Sequence, residues 1–456
     1  MASTDAIDQI EKPRLIAKLL HLLPMTVFWA LVAQAVVSVT RILTTVAVGG
    51  RFAFLGSEGS SGIGSPEELS LYYAAFGVLT VIISMHEGFV TTPMTVFMSR
   101  KAERQSFSGQ MLLGSFCLIG LALSLLALWI CWRYQFGEEF SPALTVICLV
   151  VVLAPLQLLR EFSRRWLLAN LEVASSARFE ILFSLVFLPV LAGLFWFNCI
   201  SAINAFIAIA IVNVVTLFGW WRLYGGEFSL TFAGGATQLR ENLRFGRWAA
   251  AENFCTTLTF FFCVWYLNQE LGLVSGGVYS ACFNVMLLSN PFLLGVCSLL
   301  GARAAQEFTH GGWRGMLRTL TQYGVFVFVV LASFSVVLWF FGADLTNLLF
   351  SEKYQQWFDE NTAGVNHVTP ILGLAVPCLG VAFVCAMALL AIGRPLDNFV
   401  SAFVSLILLL TINFSGEPSL QLAAISFVLA SASNAVLRML FLARAYIYRG
   451  VLLAEA

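Results

Sequence analysis

Ionisable side chains are scarce in this chain. Charged residues fill 11% of its 456 positions, histidine occurs four times, and 25 lysines and arginines balance 25 aspartates and glutamates. A soluble domain carries roughly 25% charged residues, so a water-exposed globule is excluded. Zero net charge supplies no basic field, and no nucleic acid partner is expected. Metal chemistry lacks its ligands as well. The ten cysteines (Cys117, Cys131, Cys148, Cys199, Cys255, Cys263, Cys282, Cys297, Cys378 and Cys385) all fall in apolar runs, without a Cys-x-x-Cys pair or a histidine at zinc spacing. They read as small packing residues, and no metal or cofactor is expected. No cleavable leader is expected either: residues 1–23 are mostly polar, with no small-residue cleavage site before the first long apolar run.

What the chain has is apolar length. Hydrophobic residues make up 59% and the mean hydropathy is +0.86. A helix rising ~1.5 Å per residue needs about 20 apolar residues to cross a bilayer's hydrocarbon core. Twelve runs meet that need: 25–48, 71–98, 111–134, 143–168, 179–197, 201–221, 247–268, 277–300, 318–341, 367–392, 398–413 and 419–443. Cationic side chains stay on the cytoplasmic side during insertion. Of the 25 lysines and arginines, 21 fall in alternate gaps: Lys12, Arg14 and Lys18; Arg100, Lys101 and Arg104; Arg160, Arg164, Arg165 and Arg178; Arg222, Arg240, Arg244 and Arg247; Arg303, Arg314 and Arg318; Arg394; Arg438, Arg444 and Arg449. The opposite loops hold Arg51, Arg133 and Lys353 among many acids. The expected fold is all-α, a polytopic inner-membrane protein of twelve transmembrane helices with both termini cytoplasmic.

Trp129, Trp132, Trp220, Trp221, Trp248, Trp265 and Trp339 stand near span ends, where an indole suits the headgroup boundary. Leu15, Ile16, Leu19, Leu20 and Leu23 recur at helical spacing, so segment 1–24 is expected to lie on the inner leaflet. The polar stretch 222–246 joins two six-span halves, 25–221 and 247–443, with 444–456 as a tail. Span two carries Tyr73-Ala-Ala-Phe76 and Pro93, and span eight carries Tyr279-Ser-Ala-Cys-Phe283 and Pro291. Six is even, so both halves enter from one face, as two bundles related by a parallel pseudo-two-fold repeat.

Four segments resemble the polysaccharide flippases and exporters of the MOP superfamily, which also holds multidrug and toxic-compound exporters and lipid II flippases. These are Glu87-Gly-Phe-Val-Thr-Thr-Pro93, Pro155-Leu-Gln-Leu-Leu-Arg-Glu-Phe-Ser-Arg-Arg-Trp166, Leu243-Arg-Phe-Gly-Arg-Trp248 and Ile392-Gly-Arg-Pro395. The resemblance implies an alternating-access carrier, not an enzyme, with two six-helix lobes around a cavity lined by spans one, two, seven and eight.

Inside the spans, ionisable groups are exceptions. Arg41 lies in span one, His86 and Glu87 in span two, and Glu252 with Asn253 in span seven. A charge at a helix centre costs ~2.5–3.5 kcal/mol on insertion scales, so such groups usually face the bundle interior or water. Counted from the inner end of its span, Glu87 is expected near the midplane, about 16 Å deep. It is a candidate for H+ or Na+ coupling, with His86 as either its relay or a packing residue. Arg41 either snorkels to the outer headgroups or meets cargo phosphate in the cavity. Gln34 and Ser38 share its helix face, and Asn284 and Asn290 offer similar groups on span eight, for cargo or for neighbouring helices. Pro93 and Pro291 are the expected hinges. The main reading is a carrier of a lipid-linked oligosaccharide or polysaccharide precursor, working beside glycan biosynthesis proteins. The alternative is a multidrug-type exporter, and a less favoured one is a membrane-embedded glycan polymerase or acyltransferase.

Overall fold

The computed structural model describes residues 25–49, 65–98, 104–135, 142–170, 172–229, 235–350 and 365–454. The amphipathic segment 1–24 and most of the outside loops 49–70 and 342–366 fall outside them. The described residues form helices and short connections, with no strand among them. The helices are α1 Met25–Val48, α2 Pro66–His86, α3 Thr92–Phe97, α4 Arg104–Gln135, α5 Pro142–Ala169, α6 Val173–Trp196, α7 Ala202–Tyr224, α8 Gly235–Glu270, α9 Leu273–Leu287, α10 Asn290–Leu349, α11 Val365–Ala391, α12 Pro395–Ser415 and α13 Leu420–Ala454.

They follow the twelve apolar runs in order. Span two is α2, a π-turn over Glu87–Thr91, and α3. Span eight is α9 with the first part of α10, which breaks at Gly312 (φ 60°, ψ −153°) and continues as span nine. Among the described residues, nine helices are long and apolar enough to cross a membrane. Val32–Val48 of α1 and Leu273–Leu287 of α9 are shorter apolar stretches among the described residues, and α8 carries Arg240, Arg244, Arg247 and Glu252. Stretch 222–246 is largely helical: α7 runs to Tyr224, a 3-10 turn covers Gly225–Glu227, and α8 starts at Gly235. Helix α13 likewise extends through most of the expected tail.

The prolines mark how each long span bends. Pro93 lacks an N–H, and the turn before it widens so that Thr92 N–H reaches Glu87 O. Pro291 sits in the first turn of α10, just after the helix breaks at Leu288 and Ser289. At the outer end, Ser65 Oγ caps α2 by accepting from Glu68 N–H at 3.3 Å. Glu68 Oε2 then accepts from Ala202 N–H at 2.7 Å, tying the start of α7 to α2.

The helices gather into two lobes, α1–α7 and α8–α13. In the first, α2 packs on α5 and α1 on α6; in the second, α11 packs on α10 and α13, and α12 on α8. Helix α2 also crosses to the second lobe, meeting α8 and α9, while α1 meets α10. Tyr73, Tyr279, Phe283 and Phe427 are fully buried in a core that runs through both lobes. Leu125, Leu128, Leu185, Phe218 and Phe340 are exposed on the outer faces of their helices, a surface suited to hydrocarbon.

Candidate functional site

The contact between the lobes combines close approaches at glycines with aromatic and polar side chains. At the outer end of α2 a Cβ on Gly277 would collide with the Pro66 carbonyl, and one on Gly276 with the Asn268 amide. Asn268 Oδ1 accepts from Ser70 Oγ across the lobes. One turn deeper the Tyr73 hydroxyl donates to Asn284 Oδ1, and Trp265 Nε1 donates to Ala74 O at 3.0 Å. Trp265 and Trp220 therefore depart from the headgroup-anchor expectation: the first bridges the lobes, and the second is buried against Trp166. At the inner end of α2, a Cβ on Gly88 would strike the Ala250 backbone, and one on Gly246 the Gly88 carbonyl.

Arg41 lies in the outer half of this interface. It is about seven residues from the end of α1, or ~10 Å. Its guanidinium stacks over the Phe76 ring at 4.3 Å, and Phe76 meets Phe261 of the second lobe at 6.0 Å. The same cation interacts with the Tyr73 hydroxyl that reaches Asn284. Among the described residues no carboxylate stands within ion-pair distance of it. Gln34 and Ser38 are half-buried on the same helix. Asn290 and Pro291 are half-buried at the start of α10, and Pro93 is buried in α3.

Glu87 follows Pro66 by about 21 residues, or ~32 Å along the helix, inside the 29-residue candidate span Pro66–Met94. Phe76 and Glu87 are separated by about 16 Å along the helix, so Arg41 is out of pairing range.

Glu87 pairs instead with Arg165 of α5. Arg165 Nε also holds Glu161 Oε1 at 3.2 Å, and Glu161 accepts two bonds from Arg164. Arg164 Nε approaches Glu180 Oε1 of α6 at 3.7 Å, and Glu180 is closed off by Arg160, itself stacked 3.5 Å from the Phe183 ring. Three acids and three arginines thus form one neutral chain across α2, α5 and α6. Beside it, buried His86 Nε2 lies 2.9 Å from Ser115 Oγ, while its Nδ1 has no partner among the described residues. The sequence reading counted these arginines only as topology markers. Glu161 and Glu180 inside apolar helices, with arginine three and four residues beyond Glu161, were the available signal.

Glu252 turns into the second lobe, away from the interface. Arg438 Nη2 of α13 donates to Glu252 Oε1 at 2.7 Å and Arg438 Nη1 to Ala382 O at 3.1 Å. The pair borders a cavity of about 70 Å³ that Asn253, Thr256, Ser431 and Asn434 also line. Thr256 Oγ1, Asn434 Oδ1 and Arg438 Nε have no hydrogen-bond partner among the described residues. Polar walls and this volume suit a few water molecules. The expectation that Glu252 and Asn253 face the inter-lobe space is corrected here. The Glu252 carboxylate is held by Arg438 of α13 inside its own lobe, and Asn253 lines the same cavity.

No protein-family profile matches this sequence, and no characterised protein sequence matches it. Solved structures do. One is described as the inward-facing conformation of a multidrug resistance MATE family transporter of the MOP superfamily. It aligns over 93% of this chain and 96% of its own, with TM-score 0.69 and 13% identity. Another, a MOP superfamily transporter from Pyrococcus furiosus, aligns over 92% and 95% with TM-score 0.70 and 13% identity. It is described as having a binding pocket of reverse polarity that suggests a different function. A MATE structure in a straight conformation aligns over 92% and 95% with TM-score 0.68 and 14% identity. The chain shares their fold. It is a multi-pass membrane protein of the MATE architecture, two helical lobes deep.

Proposed function

We propose that this chain is an alternating-access carrier that exports an amphipathic small molecule, in the manner of the multidrug transporters whose fold it shares. The observation that carries the reading is the two-lobe architecture aligned over more than nine-tenths of the chain. Orientation follows the arginine pattern: both ends in the cytoplasm of an inner membrane, with cargo moving outward. H+ or Na+ is the expected driving ion.

A second reading is favoured by Arg41. A cation over an aromatic ring, with no carboxylate facing it among the described residues, repels cationic drugs and suits an anionic head group. The phosphate of a lipid-linked oligosaccharide would meet its guanidinium fork. Neighbouring glycan biosynthesis proteins would then supply the cargo.

Reconstituted vesicles loaded with cationic, neutral or anionic fluorescent amphipaths decide between these readings. Export of cations supports the drug reading. Export of anions alone, with lipid-linked precursor building up inside a deletion strain, supports the glycan reading. No movement of any probe, and no precursor accumulation, removes the carrier reading. Arg41→Ala is expected to lower anion export at least tenfold, about 1.4 kcal/mol of binding, with membrane levels of the protein unchanged. Unaltered export would take Arg41 out of the cargo path.

A further inference from the structure

The inner third of α8 has two faces. Buried Asn242 and Gly246 rest on the first lobe, with Asn242 Nδ2 at 3.4 Å from Met111 Sδ of α4. On the opposite side Arg240, Arg244 and Arg247 are exposed, four and three residues apart and so in one row. None of them has a carboxylate within ion-pair distance among the described residues. Arg160, Arg164 and Arg165, by contrast, are matched within the first lobe, Arg394 by Asp397 and Arg438 by Glu252. The row ends where the apolar run 247–268 begins and covers the ~10 Å before it. An apolar stripe continues from the row. The Arg247 guanidinium lies 5.1 Å from the Trp248 ring, Trp248 lies 5.4 Å from Phe399 of α12, and Phe399 stacks on Phe403 at 5.6 Å. Phe403 and Ile407 are exposed, one turn apart. Helix α12 starts at Pro395 and runs away from the row, so Phe399, Phe403 and Ile407 span ~12 Å of depth below it.

We propose that the face shared by α8 and α12 binds an anionic phospholipid of the inner leaflet, its phosphate on Arg240, Arg244 and Arg247 and an acyl chain along Trp248, Phe399 and Phe403. A guanidinium fork takes two phosphate oxygens, and the next arginine, one turn away, shares the same charge. Basic clusters that flank a membrane helix attract anionic head groups in this way. A zwitterionic lipid brings its own cation to the row and gains less. A soluble phosphate satisfies the row but leaves the stripe of rings unused, so the two halves together select a lipid. The site rests on the proposed orientation only for the choice of leaflet, and on no reading of the cargo. It also bears on the joint between the lobes. The turns of α8 that carry the row hold the first lobe with their other face, through Asn242 and Gly246.

The test is native mass spectrometry of the full chain released from detergent, counting retained dioleoyl phosphatidylglycerol against dioleoyl phosphatidylcholine. The parent is expected to keep the first in preference to the second. Arg240→Gln, Arg244→Gln and Arg247→Gln together are expected to lower phosphatidylglycerol retention about tenfold. Arg222→Gln, Arg314→Gln and Arg444→Gln together remove the same charge from other exposed positions, and are expected to change it less than about twofold. Phe403→Ala is expected to lower retention of the dioleoyl lipid and to spare a dihexanoyl one. If the first triple variant does not fold, Arg240→Gln with Arg244→Gln carries the test. Equal retention of both head groups by the parent overturns the site. Equal losses in the two triple variants do so too, since they mean a diffuse field. Displacement by glycerol phosphate at the lipid's own concentration makes the ligand a soluble anion, and unaltered dioleoyl retention in Phe403→Ala removes the acyl chain; either result overturns the lipid assignment. If phosphatidylglycerol is retained as expected while vesicles export no probe, the carrier reading fails and the lipid site stands.

Discussion

At the residue scale the molecule separates its charges by whether they are matched. Arg41 is unmatched by any described carboxylate and lies where the lobes meet. Glu180 is matched twice over and lies inside one lobe. Its side chain is 3% exposed and receives both Arg160 and Arg164. Removing one partner of a buried ion pair typically costs about 3–5 kcal/mol, because the other charge remains in the interior. Glu180→Ala is therefore expected to lower the thermal unfolding midpoint in detergent by several degrees, and Glu180→Gln by less. A midpoint equal to the parent would mean the arginines find water instead. The sequence announced Arg41, Glu87 and Glu252 as exceptions because each interrupts an apolar run. It did not announce their partners. Arg165 and Arg438 read as cytoplasmic markers by number alone, and only the packing of α5 and α13 turns them inward. The short separation of Glu161 from Arg164 and Arg165 was legible; the reach to Glu87 and Glu180 depends on how α2 and α6 cross α5.

At the scale of the element, the period and length of the apolar runs were enough to set the order of the helices, and the prolines to mark the bends. The kind of bend was not legible. Pro93 follows a π-turn, whereas Pro291 follows a break between two helices. A missing N–H at the same point of each repeat has thus been met by two different backbone solutions. The π-turn fixes which way Glu87 points. Pro93→Ala returns the donor and allows ordinary helix through Glu87–Thr91, which rotates Glu87 away from α5. The expected result is that the coupling between Glu87 and Arg165 in a double-mutant cycle of unfolding free energies disappears in the Pro93→Ala background. Coupling of the parent size there would show that the turn persists without its proline.

At the scale of the whole molecule, α2 meets the second lobe from Pro66 to Gly88, so the outer face is closed along this line. Tyr73 and Ala74 lie below that closure and are buried. Gly277→Leu places a branched side chain against the Pro66 carbonyl, where backbone cannot yield, and is expected to wedge the outer ends apart. A cysteine substituted at Ala74 would then react with an impermeant maleimide added outside, at a rate at least tenfold above that in the Gly277 parent. Equal rates would mean that this end is open already. Two equal halves and their common orientation could be read from span counts and arginine positions. The identity of the contacting surfaces could not, since Gly77, Gly88, Gly246 and Gly277 look like any other glycines in an apolar run until their neighbours are known.

A joint formed by hydrogen atoms in place of side chains has one further property. It can be obstructed but not refined, because every exchange at Gly88 or Gly277 adds matter and none can subtract it. If the chain is the carrier proposed above, changes of cargo would be written elsewhere, on the half-buried face of α1 around Arg41, where a side chain can grow, shrink or reverse its sign without disturbing the glycine contacts.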